Sequence, residues 1–226
     1  MIGSITELFY PALCTGCENT LFKGELELCT ACILDLPYTR MHDQEANIIE
    51  QRLAGRFSFE AATSLLFFHK SGKVQHMLHA LKYKNNQAIG KLLGAMLADE
   101  LMRSKRFAEI DFIVPVPIHP KKGKIRGYNQ AEVIAEGMVE RGFFVRAHAL
   151  KKTEHRESQT RSGIYARYKN VADIFGLGDT TGLECKKVLL LDDVLTTGAT
   201  LEACAKLLMK IDGLKVYIAT LACTEH

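Results

Sequence analysis

Residues 188–200, VLLLDDVLTTGAT, carry the strongest fold signal in this chain. The four leading apolar residues predict a strand that is buried on both faces, as the strands of parallel sheets are. Gly198 then opens a helical pattern with apolar residues at Leu201, Ala205 and Leu208. Ligands of parallel sheets bind at the carboxyl ends of the strands. The order of strand, short polar loop and helix therefore predicts a ligand-binding junction.

The loop at this junction offers two kinds of chemistry. The first amide groups of a helix have no partner within the helix and can hold a phosphate, and Thr196, Thr197 and Thr200 add hydroxyl donors. Asp192 and Asp193 would repel that phosphate, so we expect them to bind a ribose diol or to act through Mg²⁺ held by pyrophosphate. An ordinary helix cap and turn is the competing interpretation, because Asp, Thr and Gly are common there for local reasons.

All thirteen positions of this stretch resemble the fingerprint of type I phosphoribosyltransferases. In that family the acidic pair faces the ribose hydroxyls of 5-phosphoribosyl 1-pyrophosphate (PRPP), and the threonine-rich loop holds the 5′-phosphate. The resemblance implies Mg²⁺ as the ion bound with PRPP. It implies a PRPP site made of Asp192, Asp193, Val194, Leu195, Thr196, Thr197, Gly198, Ala199 and Thr200, joined by Lys82, Arg126, Gly127 and Tyr128.

Two CxxC pairs mark the amino-terminal part of the chain. Cys14 and Cys17 are followed, after eleven intervening residues, by Cys29 and Cys32. Four thiolates at this spacing predict a tetrahedral Zn²⁺ site with a small hairpin between the pairs. Disulfides or a redox dithiol are the competing interpretation. We expect a structural ion that serves folding or docking, because a four-sulfur site has no open position for a substrate.

The rest of the chain alternates strands with helices, which predicts an α/β fold with a mostly parallel sheet flanked by helices. Strand patterns cover residues 57–70, 112–117, 171–177, 187–191 and 214–221. Helical patterns cover residues 2–9, 74–83, 88–102, 130–140 and 201–209. We therefore expect a helix and zinc-binding module over 1–38, a polar connector over 39–56, and a type I phosphoribosyltransferase-like domain over 57–226.

A basic loop follows the predicted strand at 112–117 and should face the same crevice as Asp192. Its cations can neutralise pyrophosphate through charge-assisted hydrogen bonds. A solvated basic loop is the competing interpretation. The cations are Lys121, Lys122, Lys124 and Arg126.

Longer segments narrow the resemblance to the ComF family of competence-associated, phosphoribosyltransferase-like proteins. They are VPVPIHPKKGKIRGYNQAEVIA at 114–135, LKYK at 81–84, QTR at 159–161 followed by Arg167 and Asn170, and the paired cysteines. The fold implies a mobile flap between Lys151 and Arg167, which includes Gln159 and Arg161, that closes over PRPP.

The ComF resemblance also implies a role with internalised single-stranded DNA during natural transformation. Such a protein needs cations for the phosphates and an aromatic stacking surface for the bases. A competence helicase or a recombination protein is the implied partner. The candidate DNA contacts are Lys121, Lys122, Lys124 and Arg126, with Tyr128 as the aromatic residue.

Three functions are compatible with these residues, because a fold does not settle a function. A nucleotide-salvage type of phosphoribosyltransferase would transfer the phosphoribosyl group to a nitrogen nucleophile, but no acceptor pocket or catalytic residue is recognisable. A DNA-handling protein would bind single strands. A PRPP-sensing adaptor or regulator would bind PRPP without transferring anything and would dock a partner through the zinc module. PRPP binding is the expectation that we rank above transfer.

Composition limits the class of protein. A formal net charge of +3 over 226 residues is mildly basic and does not by itself indicate a nucleic-acid partner. The chain has no apolar stretch of 18 residues, and its start lacks the basic and apolar regions of a secretory signal. We therefore expect a cytoplasmic protein without membrane insertion.

Overall fold

The computed structural model describes residues 11–118, 123, 125–152 and 174–224, and its centre is a parallel sheet. The strands are β1 (Ala61–Phe68), β2 (Phe112–Pro115), β3 (Leu150–Lys152), β4 (Phe175–Leu177), β5 (Lys187–Leu195) and β6 (Lys215–Thr224). The central sheet has the order β1-β6-β5-β2, and each neighbouring pair in it is parallel. Strands β3 and β4 form a separate antiparallel pair.

Helices cover both faces of the sheet, which confirms the predicted α/β fold. They are α1 (Thr30–Leu34), α2 (Ile48–Leu53), α3 (Lys73–Tyr83), α4 (Gln87–Arg103), α5 (Gln130–Val139) and α6 (Ala199–Leu208). A short 3₁₀ helix, Lys105–Phe107, follows α4. No helix within the described ranges is both long enough and apolar enough to cross a membrane.

Strand β5 lies in the interior and is buried on both faces. Leu189 and Leu191 pack into the apolar cluster that contains α3, α4 and α5, whereas Val188 and Leu190 pack into the cluster that contains α2 and α6. All four side chains are fully buried. Burial of one aliphatic side chain contributes roughly 1.5–3 kcal/mol. The carboxyl end of β5 is therefore held in a fixed place.

Two elements are longer or more ordered than the sequence patterns indicate. Strand β5 continues to Leu195, so Asp192 and Asp193 belong to the end of the strand, because β6 extends its ladder alongside them. The polar connector contains helix α2, whose first amides are capped by the Asn47 side chain and whose Ile49 is fully buried. The connector is thus part of the folded body.

The region of the predicted flap is described only at its ends. Strand β3 pairs Lys151 with Gly176 and Lys152 with Phe175 of β4, so the start of the flap segment is a strand. The predicted strand over 171–177 is observed at Phe175–Leu177. The remainder of the flap, with Gln159 and Arg161, and the helix predicted over 2–9 lie outside the described residues.

Helices α4 and α5 cross at two glycines. A Cβ atom on Gly94 would lie 2.0 Å from the carbonyl oxygen of Ile134, and one on Gly137 would lie 1.9 Å from that of Lys91. The two helix backbones are therefore in direct contact. This crossing fixes α5, which begins at the cap residue Asn129 directly after the basic loop.

Candidate functional site

A cleft of about 640 Å³ lies at the carboxyl ends of the four parallel strands. Helix α3 forms one wall, and the segment that leads into α5 contributes to another. Each central strand supplies residues at or just after its end. These lining residues are Phe68 from β1, Val116 and Pro117 after β2, Asp192, Asp193 and Val194 from β5, and Thr224 from β6.

The two predicted carboxylates both line this cleft, but they belong to opposite faces of the sheet, because neighbouring side chains of a strand alternate. The Asp193 N–H donates a hydrogen bond of 2.8 Å to Oδ1 of Asp192. Asp193 also forms an ion pair with Lys82 of α3, in which Nζ and Oδ2 are 2.7 Å apart. The structure thus joins two predicted site residues from distant parts of the chain inside the cleft.

The loop after β5 presents its residues in two directions. Thr196 and Thr200 line the cleft, whereas Thr197, Gly198 and Ala199 do not. Within the described ranges, the N–H groups of Gly198 and Thr200 form no hydrogen bond. The φ of Gly198 is 77°, in the left-handed region that favours glycine. An anion at the start of α6 would therefore meet uncommitted amides.

The flanking members of the predicted motif have different placements. Val194 lines the cleft. Leu195 is buried in the core on the α6 side of the sheet, so its side chain supports the loop rather than contacting a ligand.

Arg126 is the described cation of the basic loop, and it lines the cleft. Its guanidinium donates 2.7 Å to Oε1 of Gln130 and lies 5.3 Å from the ring centroid of Tyr83. Gly127 follows Arg126, has a φ of 79° in the left-handed region, and does not line the cleft. Lys121, Lys122 and Lys124 lie outside the described residues.

Tyr128 does not offer the stacking surface that we expected of it. Its hydroxyl donates to the carbonyl of Leu81, and its ring packs against the apolar core. Tyr83 is instead the exposed aromatic side chain of the cleft, with 60% of its surface accessible. The ring of His79, one helical turn away, lies 5.0 Å from that of Tyr83. The i, i+4 spacing of His79 and Tyr83 was a sequence signal for a shared helix face.

The four predicted zinc ligands form one cluster, and their sulfur atoms all lie within 4.8 Å of one another. The Sγ atoms of Cys17 and Cys29 are 3.7 Å apart. A tetrahedral zinc ion with Zn–S bonds of about 2.3 Å places sulfur atoms about 3.8 Å apart. Burial raises the pKa of Cys14, but N–H donors from Cys29, Cys17 and Gly16 outweigh it and lower that pKa to about 6. Burial and the neighbouring thiols raise the pKa of Cys32. The donor set is compatible with structural zinc.

The cysteine module is joined to helix α3 and to the turn that follows it. Lys73 forms an ion pair of 2.5 Å with Asp35, and Nδ1 of His76 lies 3.2 Å from the carbonyl oxygen of Gly16. Asn86 donates 2.6 Å to Oε2 of Glu27. Helix α3 therefore contacts the cysteine module on one face and the cleft on another.

We compared the chain with known protein families. Residues 79–226 match the phosphoribosyl transferase domain family. The chain belongs to this family. The matched part of this phosphoribosyltransferase-family chain includes Lys82, both carboxylates and the loop after β5, and it leaves the cysteine module outside.

Two relatives, together with the family match, confirm the resemblance to the ComF family. Competence protein F of Haemophilus influenzae is 24% identical over 225 residues, which cover 95% of this chain and 98% of that protein. The DNA utilization protein YhgH of Escherichia coli O157:H7 is 24% identical over 225 residues, which cover 90% of this chain and 93% of that protein. Among solved structures, an allosteric regulatory enzyme of purine biosynthesis aligns with a TM-score of 0.39 and 21% identity, over 59% of this chain and 25% of that chain.

Proposed function

We propose that this protein binds PRPP with Mg²⁺ in the cleft and serves DNA uptake as a phosphoribosyltransferase-like protein. One observation carries the proposal. Two carboxylates and a loop with uncommitted amides occupy the same end of strand β5. Both carboxylates, and Thr196 and Thr200 of the loop, line a cleft that also holds Arg126 and Lys82. Structural Zn²⁺ on the four cysteines and a cytoplasmic location belong to the same proposal.

Each part of PRPP matches a part of the cleft. The 5′-phosphate fits the start of α6, where Gly198 and Thr200 offer N–H groups and Thr196 offers a hydroxyl. The ribose diol fits the carboxylates of Asp192 and Asp193. The pyrophosphate fits the cationic side near Arg126 and Lys82, as charge-assisted hydrogen bonds favour it there.

The position of pyrophosphate near Arg126 and Lys82 would also favour its departure in a transfer reaction. A nitrogen nucleophile would attack C1 of the ribose, the bond from C1 to the pyrophosphate oxygen would break, and pyrophosphate would leave with both bonding electrons. Arg126 and Lys82 would stabilise the departing negative charge. Mg²⁺ bound with pyrophosphate would neutralise more of that charge, and the carboxylate of Asp193 would help to hold the ion.

Two alternatives use the same site. A PRPP-sensing adaptor or regulator would bind PRPP without transfer, and a nucleotide-salvage phosphoribosyltransferase would transfer it to a nucleobase. Release of pyrophosphate with one member of a panel of bases and amines would favour the salvage enzyme. PRPP binding with no release across the whole panel would favour the adaptor.

Changing Asp192 and Asp193 together to alanine is expected to weaken PRPP binding at least about 100-fold, because both diol acceptors are lost. Isothermal titration calorimetry with PRPP and Mg²⁺ on the wild type and the double variant measures this. Zinc content should stay unchanged in the variant, since its cysteines are intact.

Asp99→Ala is the matched control, because Asp99 forms a partly exposed ion pair of 2.9 Å with Arg141 at the contact of α4 and α5. It removes a carboxylate outside the cleft. PRPP binding that is equally strong in the double variant and in this control would contradict the proposed site.

The DNA part of the proposal is supported by the printed names of two relatives, which refer to competence and to DNA utilization. Arg126 beside the exposed ring of Tyr83 supplies a cation and a stacking surface in one place. Lys121, Lys122 and Lys124 belong to the same loop. A competence helicase or a recombination protein is the proposed partner.

Single-stranded DNA is expected to bind more weakly as salt increases, because neutralised phosphates release counterions. Tyr83→Ala should weaken binding about tenfold through lost stacking, and Arg126→Ala should lower the salt slope by about one unit. Fluorescence anisotropy with a labelled oligonucleotide measures both. Arg103→Ala, at an exposed ion pair with Glu100, is the control. An affinity that does not change between low and high salt would count against this account.

A further inference from the structure

Arg56, which lies between α2 and β1, reaches the back of the loop that follows β5. Its guanidinium donates to the carbonyl oxygen of Thr197 and lies 3.9 Å from Oε2 of Glu202 in α6. A Cβ atom on Gly198 would lie 3.2 Å from the same guanidinium nitrogen and 2.9 Å from Cδ2 of Leu53. The end of the connector therefore packs directly against this loop.

The contact with Thr197 determines where the next amide points. In a trans peptide the C=O and the following N–H have opposite directions, and the described part of the chain has no cis peptide bond. The Thr197 carbonyl faces Arg56, so the Gly198 N–H points the opposite way. Arg56 does not line the cleft, whereas Thr196 and Thr200, which flank this peptide in the sequence, do.

Two further hydrogen bonds flank this peptide without using its own C=O or N–H. The Ala199 N–H donates 3.5 Å to Oγ1 of Thr197, and the Glu202 N–H donates 2.9 Å to the carbonyl oxygen of Gly198. Gly198 has a left-handed conformation, and a glycine can exchange such a conformation for others at small cost. The Gly198 N–H has no acceptor among the described residues. A rotated Thr197–Gly198 peptide would turn a carbonyl oxygen, instead of an N–H donor, toward the position of a bound phosphate.

We propose that Arg56 is a positioning residue that holds the Thr197–Gly198 peptide in the orientation that binds phosphate. This inference rests on the proposed function, and it identifies Arg56 as the residue that orders the phosphate-binding loop before the ligand binds. Preorganised donors avoid the cost of ordering the loop when the ligand binds. Arg56 acts from outside the cleft and does not touch the ligand.

The chemistry of arginine suits this task. A planar guanidinium presents its N–H donors in a fixed fork, whereas a lysine ammonium rotates on a flexible stem. One nitrogen, Nη1, makes both contacts of Arg56: it donates to the Thr197 carbonyl oxygen and lies 3.9 Å from Oε2 of Glu202. Glu202 is itself paired with Lys206 at 2.6 Å. Arg56 therefore contributes an N–H donor with a fixed direction more than it contributes a positive charge.

Charge and geometry are separated by two variants. Arg56→Gln removes both, and Arg56→Lys keeps the charge while losing the fork. Arg103→Gln is the matched control, because Arg103 also forms an exposed ion pair with a glutamate, 3.7 Å from Glu100, but belongs to α4 away from the loop. The ligands are ribose 5-phosphate, whose phosphate needs the loop, and pyrophosphate with Mg²⁺, which does not.

Calorimetry is expected to give about tenfold weaker binding of ribose 5-phosphate to both Arg56 variants, the size of one lost preorganised hydrogen bond. Pyrophosphate affinity should stay within about twofold of the wild type, and the melting temperature within about 2 °C. Hydrogen exchange measured by mass spectrometry should be faster in a peptide that covers residues 196–201 of both variants. Arg103→Gln should change none of these values.

Three results would overturn the inference. The first is an unchanged affinity of Arg56→Gln for ribose 5-phosphate. The second is an equal loss of affinity for ribose 5-phosphate and for pyrophosphate. Wild-type affinity in Arg56→Lys with a loss in Arg56→Gln would assign the effect to charge. If the wild type binds neither PRPP nor ribose 5-phosphate, the proposed function is wrong and the inference falls with it, which distinguishes that failure from the other three.

Discussion

Gly94→Ala or Gly137→Ala should destabilise the protein by about 3 kcal/mol or more, because each new methyl group would overlap a helix backbone. The contacts of 2.0 Å and 1.9 Å involve carbonyl oxygens of Ile134 and Lys91, which cannot rotate away as a side chain can. Helices α4 and α5 would have to separate along their crossing. Urea unfolding followed by circular dichroism measures the free energy of unfolding of each variant.

Gly123→Ala is the control for these substitutions. Among the described residues, a Cβ atom there would meet Cγ2 of Ile118 at 3.5 Å, which is an ordinary contact. Its free energy of unfolding should change by less than about 1 kcal/mol. An unfolding midpoint for Gly94→Ala that equals that of the wild type would mean that the two helices are not in backbone contact.

Loss of the proposed zinc ion is the second large effect that we expect. Cys14→Ser should remove stoichiometric zinc and lower the free energy of unfolding by about 3 kcal/mol or more, because metal binding to a four-thiolate site contributes directly to folding. Cys14, Leu28 and Cys32 belong to the same apolar cluster as the residues of α3, so the damage would spread beyond the module. Atomic absorption and thermal unfolding measure the two quantities.

Cys185→Ser is the matched control, since Cys185 is exposed and lies outside the four-sulfur cluster. It should keep both the zinc content and the melting temperature of the wild type. Two results would contradict the structural role of the four cysteines. One is purified wild-type protein that contains no zinc, and the other is equal stability of Cys14→Ser and Cys185→Ser.

The local part of the site could be predicted from the sequence. The apolar run before Asp192 specifies a buried strand, and the glycine after the threonines specifies a turn into a helix. The two CxxC pairs specify a cluster in the same way, because the ligands are near in sequence. These predictions depend on interactions over a few residues, where spacing determines geometry.

The parts that could not be predicted depend on contacts between distant residues. Lys82 and Asp193 come together only because α3 and β5 pack in one fold. Arg56 belongs to a polar segment without strong periodicity, and only the tertiary structure shows that it contacts Thr197. Likewise, a sequence cannot tell that Tyr128 faces inward while Tyr83 faces the cleft, since each tyrosine has a polar or charged neighbour in the sequence.

The shared helix α3 also limits how the chain can be divided. Val74 and Met77 are 3% and 0% accessible, and they belong to the same cluster as Cys14, Leu28 and Cys32. A truncated protein that begins after Pro37 would leave that apolar surface open to water and prone to self-association. Biochemical work on the cleft therefore calls for recombinant protein that retains its amino-terminal cysteines.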